Sequence, residues 1–325
     1  MGWSGRLPIS LDFQWPYSYQ FNFTVQRQVA QGLSLSAGYV GTMSHNLAFS
    51  PDVNYPRFTS TATSSNYNSR RPHGNGLVGA VNMLKSDQTA GYHALQLKAS
   101  KSMSKHFGLT AFYTFSKSMA SAQMDGQATN GGAEDASNLR LERGLSDFDQ
   151  RHNFVAAVTW NLSYYGGSSM ALRHVINGWT LSPVVTLSAG NPFTVLAGKD
   201  NNYDGVNNDR ANVVGDPILD PNRQRSQVLA QWFNTAAFVA NPIGTAGTSA
   251  RNLLIGPGSR NVDMAMFRDF AIRERMKVQF RAEFTNVLNL VSLTIPNATL
   301  TSSTFGQITS ASTMRQVQLG LRLTF

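Results

Sequence analysis

Residues 314–325 read MRQVQLGLRLTF, and in them Val317, Leu319, Leu321, Leu323 and Phe325 alternate with Gln316, Gln318, Gly320, Arg322 and Thr324. A period of two describes a β-strand whose two faces meet different surroundings. Taken alone, the pattern fits a strand of a soluble sandwich as well as a stave of a membrane barrel. The rest of the chain decides between them.

The same alternation recurs upstream. Tyr17, Tyr19, Phe21, Phe23 and Val25 share one phase and Ser18, Gln20, Asn22, Thr24 and Gln26 the other. Aromatic rings gathered on one phase suit a membrane–water girdle, where ring bodies meet lipid and polar tips meet headgroups. Gln31-Gly32 reads as a tight turn into Leu33, Leu35, Ala37 and Tyr39. Further strands are expected over 92–101, around 109–116 (where Phe112 breaks the polar phase), and over 154–162, 179–189, 261–272 and 275–288. With the terminal strand they number nine.

The connections carry more information than any single strand. Short polar turns (Gln31-Gly32, Ser104-Lys105-His106, Arg273-Glu274-Arg275) and a medium loop through Tyr165-Gly166-Gly167 alternate with long segments near 46–91, 120–150, 191–260 and 289–313. A short strand is possible near Val81 to Lys85, and a helical turn near Leu139 to Gly144. Outer-membrane barrels have short turns on the periplasmic rim and long loops outside, whereas a sandwich has no reason to place every long loop at one end. The expected fold is therefore all-β: an antiparallel transmembrane β-barrel with long extracellular loops. With Phe325 at the periplasmic rim an odd strand count starts the chain on the outside, and single-chain bacterial barrels have even counts, so about 9–11 strands of a larger barrel are expected, with N-terminal strands missing.

Composition agrees. Of 325 residues 42% are hydrophobic and 14% charged, and no apolar run approaches the ~18 to 20 residues of a membrane helix. Strand alternation dilutes the apolar signal, so a barrel remains allowed. The absence of cysteine excludes thiol chemistry and disulfides. The net charge of +9 is scattered rather than gathered into a stripe, which argues against nucleic acid. Residues 1–15, MGWSGRLPISLDFQW, lack the charged and apolar regions of a signal peptide.

Several segments resemble one family, the Oar-like TonB-dependent receptors of acidobacterial type: QFNFTVQRQVAQGLSLSAGYVGT, YHALQLKASKSMSKHFGLTAFYTFSKSM, ERGLSDFDQRHNFV, FNTAAF with RNLLIGPGSRNVDMAMFRDF, and FRAEFTNVLN with RQVQLGLRLTF. They cover most of residues 17–325 in the family's order. The resemblance implies an energy-coupled outer-membrane transporter of a bulky solute, with a regulatory domain, a plug and a barrel of about 22 strands. Residues 1–325 correspond to the C-terminal barrel portion; no plug, regulatory domain or TonB box can be matched, so TonB would act only through the missing N-terminal part. Outer-membrane lipid and the barrel-assembly machinery are the implied partners, with Leu321, Leu323 and the terminal Phe325 as the assembly signal. A surface adhesion or envelope-integrity protein and a small stand-alone pore are the alternatives.

Three groups of residues are candidate sites. Asp200, Asn202, Asp204 and Asp209 place oxygens at the spacing of a calcium loop with Gly205 at the sharp turn, but Ala211 stands where an EF-hand has its bidentate Glu; a Ca2+ site and a metal-free Asx turn both fit. Asp147, Asp149, Arg151 and His152 read as an acid–base or metal cluster, or as loop-anchoring ion pairs. Lys98, Lys277, Arg281, Glu283 and Arg322 sit on polar phases and are expected to face the lumen, where they could draw an anionic solute or pair with one another. Lys101 lies on an apolar phase and is expected to snorkel near a strand end. No G-x-S-x-G, H-E-x-x-H or Walker A motif supports an enzyme.

Overall fold

The computed structural model describes residues 8–73, 79–121, 133–273, 276–312 and 314–325. Nine long strands form one antiparallel sheet in strict chain order: β1 (Tyr17–Ala30), β2 (Leu33–Phe49), β3 (Lys85–Ser104), β4 (Phe107–Ala120), β5 (His152–Leu162), β6 (Trp179–Ser188), β7 (Ser259–Arg273), β8 (Met276–Thr285) and β9 (Gln316–Thr324). The two-residue strand Gly144–Leu145 adds to the outer end of β4. β1 and β9 do not pair with each other, so the wall is a partial barrel, open along two edges. All nine expected strands are present.

Register carries one apolar phase across the wall. Phe23 stands opposite Tyr39, Tyr39 opposite Leu95, and Leu95 opposite Phe115. Further along, Tyr113 meets Phe154, Phe154 meets Leu187, Met266 lies between Leu181 and Ala282, and Ala282 faces Leu319. Directly opposed residues share a face of a sheet, so nine separate alternations merge into one hydrophobic surface. Most of the large side chains on it are exposed or half-exposed, Phe23 at 71% and Leu319 at 66%. In a water-soluble sheet such a surface would be buried against a second layer; here it is the lipid face. At Gly41 the missing side chain lets the Phe21 ring lie over the neighbouring strand, since a Cβ there would come within 2.3 Å of that ring.

The connections also segregate. Residues 31–32, 105–106 and 163–178 lie at one rim, and the described residues of 50–84, 121–151, 189–258 and 286–315 at the other. The turn at Glu274-Arg275 lies outside the described residues. Lys105 and His106 both take positive φ, 47° and 74°, the geometry of a two-residue turn whose twist matches its strands.

Two expectations need correction. The first long loop is shorter than 46–91, because β2 continues to Phe49 and β3 begins at Lys85 and runs for 20 residues. The possible strand near Val81 to Lys85 is two isolated bridges, Asn82 with Asp52 and Leu84 with Ile9, that lead into β3. Thr89 anchors this outer extension, donating its N–H to Ser121 Oγ and accepting from the same hydroxyl. The medium loop also contains a helix, α1 (Met170–Ile176), and the longest loop contains α2 (Arg225–Ala230). The helical turn near Leu139 is a 3-10 turn over Leu139–Glu142.

Candidate functional site in the loop cap

The main apolar core lies among the long loops rather than in the wall. Phe193, Val195, Ala211, Phe233, Ala237, Phe238 and Leu254 form a buried cluster, joined by Leu300 and Phe305 from the last loop. Phe233 sits at its centre, with ring centroids of Phe193, Phe238 and Phe305 at 5.8, 5.5 and 5.2 Å. Residues that read as irregular in sequence thus form a packed cap on one rim.

Buried charges tie separate loops together. Glu134 Oε2 accepts from the Arg210 backbone N–H at 2.7 Å, its Oε1 accepts from Gly247 N–H, and Arg210 Nε lies 3.5 Å from Oε2. Arg210 also donates to Glu142 at 3.1 Å and to the Leu141 carbonyl at 3.2 Å. Arg251 donates to the carbonyls of Glu142 and Ala120, each at 3.0 Å. The 121–151 loop is therefore clasped by two arginines of the 189–258 loop. Burial drives the Glu134 carboxyl up to about 7, opposed by its two backbone N–H bonds and by Arg210. Burial likewise lowers the Arg251 guanidinium, against the pull of Asp147 and Glu142. A cavity of about 470 Å³ opens beside this clasp, lined among others by Glu134, Asn208, Arg210 and Arg251. Arg210 Nε and Arg251 Nη1 are buried there without a hydrogen-bond acceptor among the described residues. Sequence reading did not find this clasp, because nothing in the spacing of Glu134, Arg210 and Arg251 reveals that they meet.

The calcium-like segment closes on itself. Asp200 accepts from the N–H of Asp204 and Gly205 at 3.1 and 3.0 Å, Asn202 from Asp204 N–H at 2.8 Å, and Asp204 from Val206 N–H at 2.7 Å. Asp209 Oδ2 accepts from the N–H of Asn201 and Asn202 and from Asn241 Nδ2, at 2.8, 2.9 and 2.7 Å. Tyr55 donates to Asp204 Oδ2 at 2.9 Å, tying in the first long loop. The bonds of Asn202 to Asp204 N–H and of Asp204 to Val206 N–H are Asx turns, and in most of the others too a short side chain satisfies a backbone donor. Among the described residues no group of three or more His, Cys, Asp or Glu is arranged to hold a metal ion. Burial raises the Asp204 carboxyl to about 6, against its bonds to Val206 and Tyr55.

The cluster before β5 disperses into separate anchors. Asp149 accepts from Ser118 N–H at 2.6 Å and lies 3.7 Å from Arg151. Asp147 accepts from Asn252 at 2.5 Å and stands 3.9 Å from Arg251, while His152 Nδ1 pairs with Tyr113 Oη at 2.8 Å. Its members hold loops to strands and do not converge on one point.

The five charged wall residues all lie on the face opposite the lipid surface, by the pairings Lys98 with Phe112, Arg281 with Gly320 and Phe267, Glu283 with Gln318, and Lys277 and Gln279 with Thr324 and Arg322. Phe112, which interrupts the polar phase, has the Lys98 ammonium over its ring, 5.3 Å from the centroid. Arg281 pairs with Glu283 at 2.7 Å, both half exposed, and an exposed pair contributes little stability. Lys277 and Arg322 make no ion pair among the described residues. Lys101 lies on the apolar face near the end of β3 and donates to Ser104 Oγ at 2.7 Å.

An open antiparallel wall with a lipid face, a polar face and a consolidated cap on one rim defines an outer-membrane barrel. The chain belongs to the outer membrane beta barrel domain family, whose match spans residues 7–318, and its location is the bacterial outer membrane. Among solved structures it is similar to the outer membrane transporter YddB from Escherichia coli, with a TM-score of 0.52 at 9% identity, over 97% of this chain and 33% of that one. It also resembles the ferripyoverdine receptor of the outer membrane of Pseudomonas aeruginosa (TM-score 0.45, 10% identity, 95% and 27% of the two chains). A further match is BauA, the ferric preacinetobactin receptor of Acinetobacter baumannii (0.46, 11%, 95% and 29%). The chain thus spans about a third or less of the length of these structures. No curated protein matches it.

Proposed function

We propose that the chain is the C-terminal barrel portion of an Oar-like, TonB-dependent transporter that takes up a bulky solute with energy coupled from outside the chain. The carrying observation is the open nine-strand wall, whose unpaired edge strands call for further staves. An unpaired edge exposes a row of backbone donors and acceptors that membranes do not tolerate. The ordered resemblance of five sequence segments supports the receptor type. In this reading Lys98, Lys277, Arg281, Glu283 and Arg322 face the lumen, where Lys277 and Arg322 are available to a plug or an anionic solute. Leu321, Leu323 and Phe325 lie on the last strand of the wall and present the assembly signal to the barrel-assembly machinery. TonB engages only through a part of the protein N-terminal to this wall. The calcium-like loop serves as a metal-free brace of the cap.

Accumulation of a panel of labelled bulky solutes, in cells carrying the protein with and without the energy-coupling partner, tests the proposal. Uptake that stops when the partner is deleted is expected. Unchanged uptake with loss of surface adhesion on deleting the protein would favour the adhesion reading, and steady ion conductance from the purified chain alone would favour a stand-alone pore.

A further inference from the structure

Helix α1 belongs to the periplasmic-rim loop, yet the structure places it against the lipid face. Its last turn presents the Val175 carbonyl, which accepts from Trp179 Nε1 at 2.9 Å and from Arg268 Nη1 at 3.2 Å. Trp179 and Arg268 stand opposite each other in the β6–β7 pairing, on the apolar phase, with Phe280 next across. The Arg268 guanidinium lies 4.7 Å from the Phe270 ring centroid and 5.6 Å from that of Trp179, and the residue is buried although its phase faces lipid. A cation in that phase is held by two aromatic rings and a helix C-terminal carbonyl, each of which favours positive charge. The attachment point also lies inside the wall's edge. β7 continues from Asp269 to Arg273 beyond it, about 16 Å of strand at 3.2 to 3.4 Å per residue.

The sequence of α1, MALRHVI, is amphipathic. At 100° per residue Leu172, Val175 and Ile176 fall on one side, while Arg173 and His174 fall on the other. That apolar side stays largely uncovered by the described residues: Val175 is 67% exposed, and Leu172 and Ile176 about half. A helix of 7 residues is too short to be stable in water without packing. Nearby, Trp160 donates to Tyr164 at 2.8 Å, and both rings are exposed. Such aromatic pairs mark the membrane–water boundary.

We infer that α1 is an interfacial anchor, lying on the outside of the wall with Leu172, Val175 and Ile176 inserted among the acyl chains of the inner leaflet of the outer membrane. Its occupant is phospholipid because the helix continues a surface that already faces lipid, through Arg268, Trp179 and Phe270. Arg173 and His174 then point to the headgroups, as in helices that lie along membrane surfaces. Asn177 fixes the return to the wall, accepting from Tyr165 N–H at 2.9 Å and donating to the Tyr165 carbonyl at 3.0 Å.

The chain contains no cysteine, so single labels are unambiguous. The full chain carrying Val175→Cys, Leu172→Cys, Arg173→Cys or, on the wall, Leu97→Cys is labelled with an environment-sensitive fluorophore. It is then reconstituted in phosphatidylethanolamine–phosphatidylglycerol vesicles. Labels at 172 and 175 are expected to emit at shorter wavelength than the label at 173, to be quenched by lipids brominated near the headgroup, and to resist iodide several-fold better. Equal iodide quenching at 172, 173 and 175 with lipid quenching at 97 overturns the anchor alone, and would leave that face to water or a periplasmic protein. Iodide quenching at 97 as well overturns the lipid wall on which the anchor rests. Two labelled positions on the apolar side keep the result decisive if one substitution disturbs the helix.

Discussion

Replacing Glu134 by Gln should flatten much of a pH dependence built into the loop cap. The Glu134 carboxyl rises from an ordinary 4.5 to about 7 because burial penalises its charge more than Gly247, Arg210 N–H and the Arg210 guanidinium favour it. A folded-state value above the unfolded one means that the folded cap binds the proton more tightly. The contribution is therefore full below 4.5 and is lost as pH climbs through 7. At about 1.4 kcal/mol per tenfold change in proton affinity, the loss amounts to about 3 kcal/mol. Glu134→Gln removes the titrating charge but turns an amide NH2 toward one of the two backbone donors, so the variant should lie about 1–3 kcal/mol below the original at pH ~5 and lose less stability than it between pH ~5 and ~7. Asp204 titrates with the same sign near 6 and burial raises the Asp209 carboxyl as well, so some slope survives in the single variant and should shrink further on adding Asp204→Asn. Native-state hydrogen exchange at the Arg210 and Gly247 amides, corrected for the intrinsic pH dependence of exchange, measures the effect. Equal opening free energies for the original protein across this pH range, or an unaltered slope in Glu134→Gln, would refute the reasoning.

Other perturbations probe the wall and the cap. Leu97→Arg puts a charge on the lipid face and should cost about 2–4 kcal/mol in vesicle-based unfolding, whereas Gln96→Arg, one residue away on the opposite face, should cost less than about 1. Gly247→Ala would bring a Cβ to within 1.9 Å of the Arg210 carbonyl oxygen; the backbone must move, and protease cleavage within residues 189–258 should accelerate at least several-fold. Calorimetric titration of Ca2+ should show no saturable binding, with Asp204→Ala loosening the loop equally in calcium and in chelator; binding that Asp204→Ala removes would overturn the metal-free brace.

The strands were legible because each needs only its own alternation. Phe21 and Phe23, or Leu319 and Leu321, report their face without knowing their neighbours. Strand ends were less legible: residues 85–91 extend β3 above the apolar zone, where both faces meet polar surroundings and alternation fades. Helix α1 carried a local signal, Ser169 as N-cap, whose Oγ accepts from Leu172 N–H at 3.4 Å, followed by apolar residues at i, i+3 and i+4. Its brevity hid that signal. The clasp carried none, since Glu134 and Arg210 are far apart in sequence and ordinary within their own segments.

The sequence by itself determined the wall, its two solvents and the segregation of long loops to one rim, because hydrophobic period and connection length are local properties. Tertiary structure alone decided that those loops condense around Phe233, that Arg210 and Arg251 bury their charge against the 121–151 loop, and that Arg268 draws α1 onto the lipid face. Each depends on residues meeting across long stretches of chain. A buried charge is tolerable only once its partner has arrived, so its role cannot be read until the fold has brought the two together.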